Sequence, residues 1–241
     1  MFKNLFKKTA PLPQLFTDMH AHFLPGLDDG AKDLGQSIML IEEFVKLGYK
    51  KLIATPHIMQ DYYPNTPEAI RGKLREVKEE TVRQGLSVEL EAAAEYYLDE
   101  YLIEKVNKKE ELLLLKGKYV LFEMSFMTIS PYLNEFIFHM MSMGITPVLA
   151  HVERYSYLDN KFTEVEDMVG RGALMQVNIN SLSGMYSKPV RKFAEKLVDE
   201  GLVHFLGSDC HRLEHLEILK EARKKKYYKK AVHLPLINNT L

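Results

Sequence analysis

Along this chain, short apolar runs alternate with longer segments whose apolar residues recur every three or four positions. Residues 15–20 and 51–55 (KLIAT) read as strands. Residues 36–47 read as a helix, with Ile38, Leu40, Ile41, Phe44 and Val45 apolar, stopped by Gly48. Thr66 suits an N-cap and Pro67 a first helical position, for a helix that reaches Gln84 ahead of Gly85. Residues 87–95 form the next strand and 99–108 a short helix; 119–123 is again a strand, with 112–115 able to pair beside it. Pro131 opens a helix that ends at Met143 before Gly144. Strands at 145–151, 173–178 and 203–209 follow, separated by helices near 163–169 and 189–200, and a last helix runs from Leu213 into the lysine-rich segment. Strands each followed by a helix predict a parallel sheet. No GxGxxG follows the first strand, so a (β/α) barrel is expected rather than an open dinucleotide-binding sheet.

Composition narrows this picture. The 241 residues suffice for a single domain with a substantial core, with 1–14 an extended N-terminal segment and 225–241 a C-terminal tail. Lys and Arg total 32 against 33 Asp and Glu, which leaves no net field to gather nucleic acid or a membrane. One cysteine, Cys210, excludes an internal disulfide and a Cys-based zinc knuckle. MFKNLFKKTAPLPQ lacks a signal-peptide apolar run before Pro11 and Pro13, and no stretch approaches the ~20 apolar residues of a membrane helix. A soluble, cytoplasmic protein is expected. The KKKYYKK run at 224–230 reads as a solvated helix end, and Met140, Met141 and Met143 read as helix packing.

The candidate chemistry stands at the strand ends. In order these carry His20 with His22, His57, Glu95, Glu123, His151, Asn178 with Asn180, and Asp209 with His211. A parallel barrel brings such ends to one mouth, which Asp28 and Asp29 can reach from the loop after the first strand. Strand side chains repeat every two residues, so His20 and His22 share a side, as do Asp209 and His211. Glu95 could bridge two cations. Burying so many polar groups without a shared cation would be costly. Imidazole and carboxylate without thiolate suit two or three ions of manganese, iron or zinc. Cys210 is followed by Leu216 where a Cys-x5-Arg phosphate loop needs arginine, so it is read as packing. Arg154, just after His151, could hold phosphate bidentately; its competing role is a surface ion pair with Glu153. His139, His204, His215 and His233 lack strand-end placement and are read as structural.

DMHAHFLPGLDDGAKD, ATPH, Glu95, FEMSF, TPVLAHVERY and GSDCH occur in an order that resembles the polymerase-and-histidinol-phosphatase (PHP) superfamily. More narrowly, they resemble its bacterial protein-tyrosine phosphatases of capsule and exopolysaccharide synthesis, the CpsB/CapC type. The similarity runs from about Thr17 to His211. It implies a distorted (β/α)7 barrel holding three metals, often manganese. One metal would take His20, His22, Glu95 and Asp209; a second Glu95, Glu123 and His151; a third Asp29, His57 and His211. Asp29 rather than Asp28 falls at the family spacing. Arg154 matches the family's phosphate-binding arginine, and Leu216 stands where a second arginine often occurs, a role Arg212 could take. The implied activity is phosphomonoester hydrolysis, with a metal-bound hydroxide attacking phosphorus and Arg154, Asp209 and His57 in the catalytic set. The implied partner is a phosphotyrosine protein, a tyrosine kinase or polysaccharide co-polymerase. The rival readings are another PHP phosphoesterase, acting on histidinol phosphate or nucleic acid, and a non-catalytic metal-binding scaffold.

Overall fold

The computed structural model describes residues 13–241, so most of the 1–14 segment lies outside the described residues. The chain runs β1 (Thr17–Ala21), α1 (Leu34–Lys46), β2 (Lys51–Ala54), β3 (His57–Ile58), α2 (Pro67–Arg83), β4 (Glu89–Ala92), β5 (Glu95–Tyr97) and α3 (Glu100–Asn107). It continues through β6 (Tyr119–Glu123), α4 (Leu133–Ser142), β7 (Thr146–Leu149), α5 (Ser156–Asp159), α6 (Phe162–Gly170) and β8 (Leu174–Asn178). Then come α7 (Lys188–Asp199), β9 (Phe205–Gly207), α8 (Leu213–Ala222) and α9 (Lys226–Ala231). Local signals account for several boundaries. Thr66 caps α2, its hydroxyl accepting from Ala69 N at 3.2 Å with Pro67 next. Asp33 caps α1, which starts two residues before the expected position, and accepts from Gln36 N at 2.9 Å.

All the ladders are parallel: β1, β2 and β4 in one sheet, and β3, β5, β6, β7, β8 and β9 in that order in the other. The 51–55 strand ends ahead of Pro56 as expected, because proline has no N–H for the ladder, and a short β3 follows it. One strand expected to be single is broken. The 87–95 run divides into β4 and β5 at Ala93–Ala94. Backbone bonds carry across both junctions, Ala93 N to Ala54 O at 2.8 Å and Glu95 N to Pro56 O at 3.1 Å. The sheet therefore curls into a distorted barrel of the expected kind. Its last seam is only partly closed, with one bridge pairing Ala21 and Cys210, and Asp18 accepting from Ser208 N at 2.9 Å.

Helices pack outside the sheet on one large apolar core, in which Cys210 is fully buried, as its packing role requires. Other expectations need correction. The 112–115 segment contributes only one bridge, Leu115 to Tyr119. The last helix breaks into α8 and α9, and the 225–241 segment is no free tail: Tyr228 and Ala231 are buried, and Asn238 is buried at the barrel wall. Met140 packs as expected, but Met141 and Met143 are largely exposed.

Candidate metal centre

Strand register brings distant residues level. β3 against β5 sets His57 beside Glu95, and β8 against β9 sets Asn178 beside Gly207, two residues before Asp209. Parallel strands share one mouth at their carboxyl ends. There His20, His22, His57, Glu95, Glu123, His151, Asp209 and His211 gather, and Asp29 reaches them from the loop after β1.

Glu95, fully buried, is the hub. Its Oε2 lies 3.1 Å from His20 Nε2, 3.5 Å from His22 Nε2 and 3.2 Å from His57 Nδ1, and its Oε1 lies 3.0 Å from His151 Nε2. Glu123 adds Oε1 at 3.1 Å from His57 Nδ1 and Oε2 at 3.7 Å from His151 Nε2. Asp209 Oδ1 sits 3.5 Å from His20 Nε2 and 3.6 Å from His22 Nε2. At the other nitrogen of His57, Asp29 Oδ1 is 3.7 Å away, and it is 3.2 Å from His211 Nε2. His57 thus stands between two groups of donors.

The neighbouring aspartates of the first loop have different surroundings. Asp28 accepts from His22 Nδ1 at 2.7 Å, from His57 N at 3.1 Å and from Gly30 N at 2.9 Å, which places it behind the imidazole. Asp29 faces the cluster. The loop folds down on His22 so closely that a Cβ on Gly30 would lie 2.0 Å from the His22 carbonyl oxygen, so only glycine fits.

These contacts can be tested against a cation. His20 Nδ1 is engaged by Gln176 Oε1 at 2.9 Å and His22 Nδ1 by Asp28. With both Nδ1 atoms committed as donors, neutral rings would aim two lone pairs at each other across the 3.3 Å between their Nε2 atoms. A proton or a metal ion must lie between them. His57 Nδ1 is within 3.2 Å of carboxylate oxygens yet hydrogen-bonds to neither, as donors do when they converge on a common point. Three overlapping groups have their donor atoms within 4.8 Å of one another: His22, Asp29, His57 and His211; His20, His22 and Glu95; His57, Glu95 and Glu123. The residues fit a multi-metal centre with nitrogen and oxygen ligands.

Electrostatics agree. Burial pushes the Glu95 carboxyl up, but His20 and His57 reverse this and hold it well below the carboxylate range. Burial pushes His20 down, but Glu95 and Asp209 bring it up to about 9. Protons and cations therefore compete for the same nitrogens. His151 and Asp209 also sit at φ 34° and 51°, left-handed conformations that cost of order 1–3 kcal/mol each for non-glycine residues.

A cavity of about 730 Å³ adjoins the cluster; His57, His151 and Asp209 line it together with Tyr62, Phe126 and Met127. Arg154 belongs to this cavity rather than to a surface pair. Its Nη1 donates to Asp209 Oδ2 at 3.2 Å, while Glu153 is buried elsewhere and accepts from Asn178 N at 3.0 Å and from the Ser181 hydroxyl. Arg212 borders the cavity, and Leu216 is buried in the core. A family model for capsular polysaccharide synthesis proteins, CpsB/CapC, matches residues 16–240.

The chain belongs to the CpsB/CapC family.

Similar members include the tyrosine-protein phosphatase CpsB of Streptococcus agalactiae, 30% identical with 82% of this chain and 83% of that protein covered. The tyrosine-protein phosphatase YwqE of Bacillus subtilis is 29% identical, covering 82% of this chain and 78% of that protein. Among solved structures, one from work on YwqE of Bacillus subtilis and CpsB of Streptococcus pneumoniae, described as metal-dependent tyrosine phosphatases, superposes with TM-score 0.83. It is 27% identical and covers 93% of each chain. A histidinol phosphate phosphatase from Lactococcus lactis, at TM-score 0.52 and 10% identity over 85% of this chain and 93% of that one, shares the fold.

This CpsB/CapC chain also places residues at the site that the strand-end pattern does not reveal. Gln176 Oε1 engages both His20 Nδ1 and His151 N at 2.9 Å, and its amide donates to Asn178 Oδ1 at 2.9 Å. Asn178 in turn donates to Asp209 Oδ2 at 2.7 Å. The available signal was period two: Gln176 and Asn178 share one face of an otherwise apolar strand. His215, expected to be structural, borders the cavity with Nδ1 3.3 Å from His211 N and from the Asp209 carbonyl oxygen. Tyr186 and Phe126 also line the cavity, and no sequence spacing marks them.

Proposed function

We propose that this chain hydrolyses phosphotyrosine on a protein partner, a tyrosine kinase or co-polymerase of capsule or exopolysaccharide synthesis, using two or three divalent ions, manganese foremost. The chain is a metal-dependent phosphoesterase of the CpsB/CapC family. The observation that carries the finer reading is the convergence of imidazoles and carboxylates on Glu95 beside a cavity that holds Arg154. Two relatives named as tyrosine-protein phosphatases support the substrate class. A cytoplasmic location goes with this reading; among the described residues no helix is long and apolar enough to cross a membrane.

The ligand sets proposed are His20, His22, Glu95 and Asp209; Glu95, Glu123 and His151; and Asp29, His57 and His211, with Nδ1 of His57 facing the carboxylates of the second set. Bound divalent ions supply Lewis acidity, lowering the pKa of water and drawing charge from phosphoryl oxygens. The chain's own groups orient the reactants. Arg154 presents a guanidinium edge suited to two phosphoryl oxygens, and Arg212 adds positive charge at the cavity border. Asp209 holds Arg154 through Oδ2 while Oδ1 faces His20 and His22. Asp28 and Gln176 set the tautomers of His22 and His20, leaving each Nε2 free to ligate.

The test is turnover of a phosphotyrosyl peptide with Mn2+, then with chelator, beside a phosphoseryl peptide and histidinol phosphate. The expected result is Mn2+-dependent hydrolysis of phosphotyrosine that chelation abolishes and added Mn2+ restores. Activity indifferent to chelation would remove the metal mechanism, and a preference for histidinol phosphate would replace the substrate.

A further inference from the structure

The guanidinium of Arg154 lies over two aromatic rings. Its Cζ is 4.6 Å from the Phe126 ring centroid and 4.5 Å from that of Tyr186. Both rings bear on the guanidinium, and its Nη1 donates to Asp209. Arginine is a long side chain with much rotamer freedom to lose. Stacking on aromatic faces is attractive and selects one plane.

The two rings come from different parts of the fold, Phe126 from the segment after β6 and Tyr186 from that between β8 and α7. Each has its own support. Phe126 stacks on Tyr155 at 5.4 Å and lies 5.6 Å from the His151 ring. The Tyr186 hydroxyl accepts from Asn178 Nδ2 at 3.2 Å and lies 3.4 Å from Asp209 Oδ2. Tyr186 therefore meets both the arginine and the carboxylate that accepts from it.

We propose that Phe126 and Tyr186 are positioning residues for phosphate capture, clamping Arg154 in the plane from which its edge meets the phosphoryl oxygens. Tyr186 is the stronger of the two, because its hydroxyl also steadies Asp209. The proposal rests on the phosphoesterase reading above. It differs from a role for these rings as walls for the substrate's aryl group, and inorganic phosphate, which has no aryl group, separates the two.

The experiment is calorimetric titration of the manganese-loaded full chain with inorganic phosphate. It compares wild type with Phe126→Leu, Tyr186→Leu and Tyr186→Phe, each alone and combined with Arg154→Ala, with bound manganese measured throughout. Tyr186→Leu is expected to weaken phosphate binding about tenfold and Phe126→Leu about threefold, with manganese content unchanged. Tyr186→Phe, which keeps the ring and loses the hydroxyl, should fall between wild type and Tyr186→Leu. In the Arg154→Ala background neither leucine variant should weaken binding further, because the rings act only through the arginine. Unchanged phosphate affinity in both leucine variants would overturn the clamp, as would an equal loss without Arg154. Phe126 is 41% exposed, so Phe126→Leu keeps the test decisive if Tyr186→Leu does not fold. Wild-type protein that binds phosphate but turns over no phosphoester would sink the proposed function while the titrations still decide the clamp.

Discussion

Two buried clusters occupy the barrel, one apolar and one ionic, and the same strands supply both. Met19, Ile53, Leu121, Val148 and Phe205 pack together, with Ile237 and Leu241 from the end of the chain against them. One to four residues further along the chain stand His20, His57, Glu123, His151 and Asp209. Near the apolar cluster a buried polar group is fully paired: Asn238 accepts from Leu206 N at 2.9 Å and donates to Leu206 O at 2.7 Å. In the ionic cluster His57 Nδ1 and His151 Nδ1 find no hydrogen-bond partner, and imidazole nitrogens face one another. The first region is complete with the groups the chain supplies. The second gathers charge that only a cation completes, so metal binding there adds to folding stability.

The largest way to break this contrast is Glu95→Gln, which removes the shared carboxylate. Hydrolysis of a phosphotyrosyl peptide should fall more than about a thousandfold and bound metal should drop, as elemental analysis would show.

Leu121→Ala should do the opposite. A cavity among apolar side chains costs about 3 kcal/mol of stability by denaturant unfolding, while metal per folded molecule stays at the wild-type value.

A change just behind the ligands sharpens the boundary between the regions. Gln176→Leu frees His20 Nδ1 from its partner, and Mn2+ affinity by calorimetry should weaken about tenfold. Wild-type affinity would show that the tautomer is set some other way.

The smallest effect concerns pH and lies outside the ionic cluster. His204 Nδ1 accepts from Met175 N at 3.1 Å, and burial holds its pKa below the ordinary value of 6.5. The unfolded chain takes up this proton first. Its contribution is therefore complete above pH 6.5 and is lost as pH falls through the folded pKa. His204→Asn keeps an acceptor without the titration, and should show a smaller drop in thermal midpoint between pH 7 and 5 than wild type.

Much of this protein is legible in its amino-acid order. Strand period and helix punctuation predict a parallel barrel, and the ligand-type residues at successive strand ends predict the mouth at which they meet, because every parallel strand delivers its carboxyl end there. What the order alone could not decide were contacts between residues with no spacing in common. Asp28 and Asp29 are adjacent, and only the fold of the loop over Gly30 sets one behind His22 and the other toward His211. Arg154 could pair with Glu153 by proximity, yet burial takes Glu153 to Ser181 and leaves the arginine to Asp209, Phe126 and Tyr186. His215 and Gln176 acquire their places from helix and strand packing. Periodicity reports which face a side chain takes on its own element; which side chains meet across elements depends on how those elements pack in three dimensions.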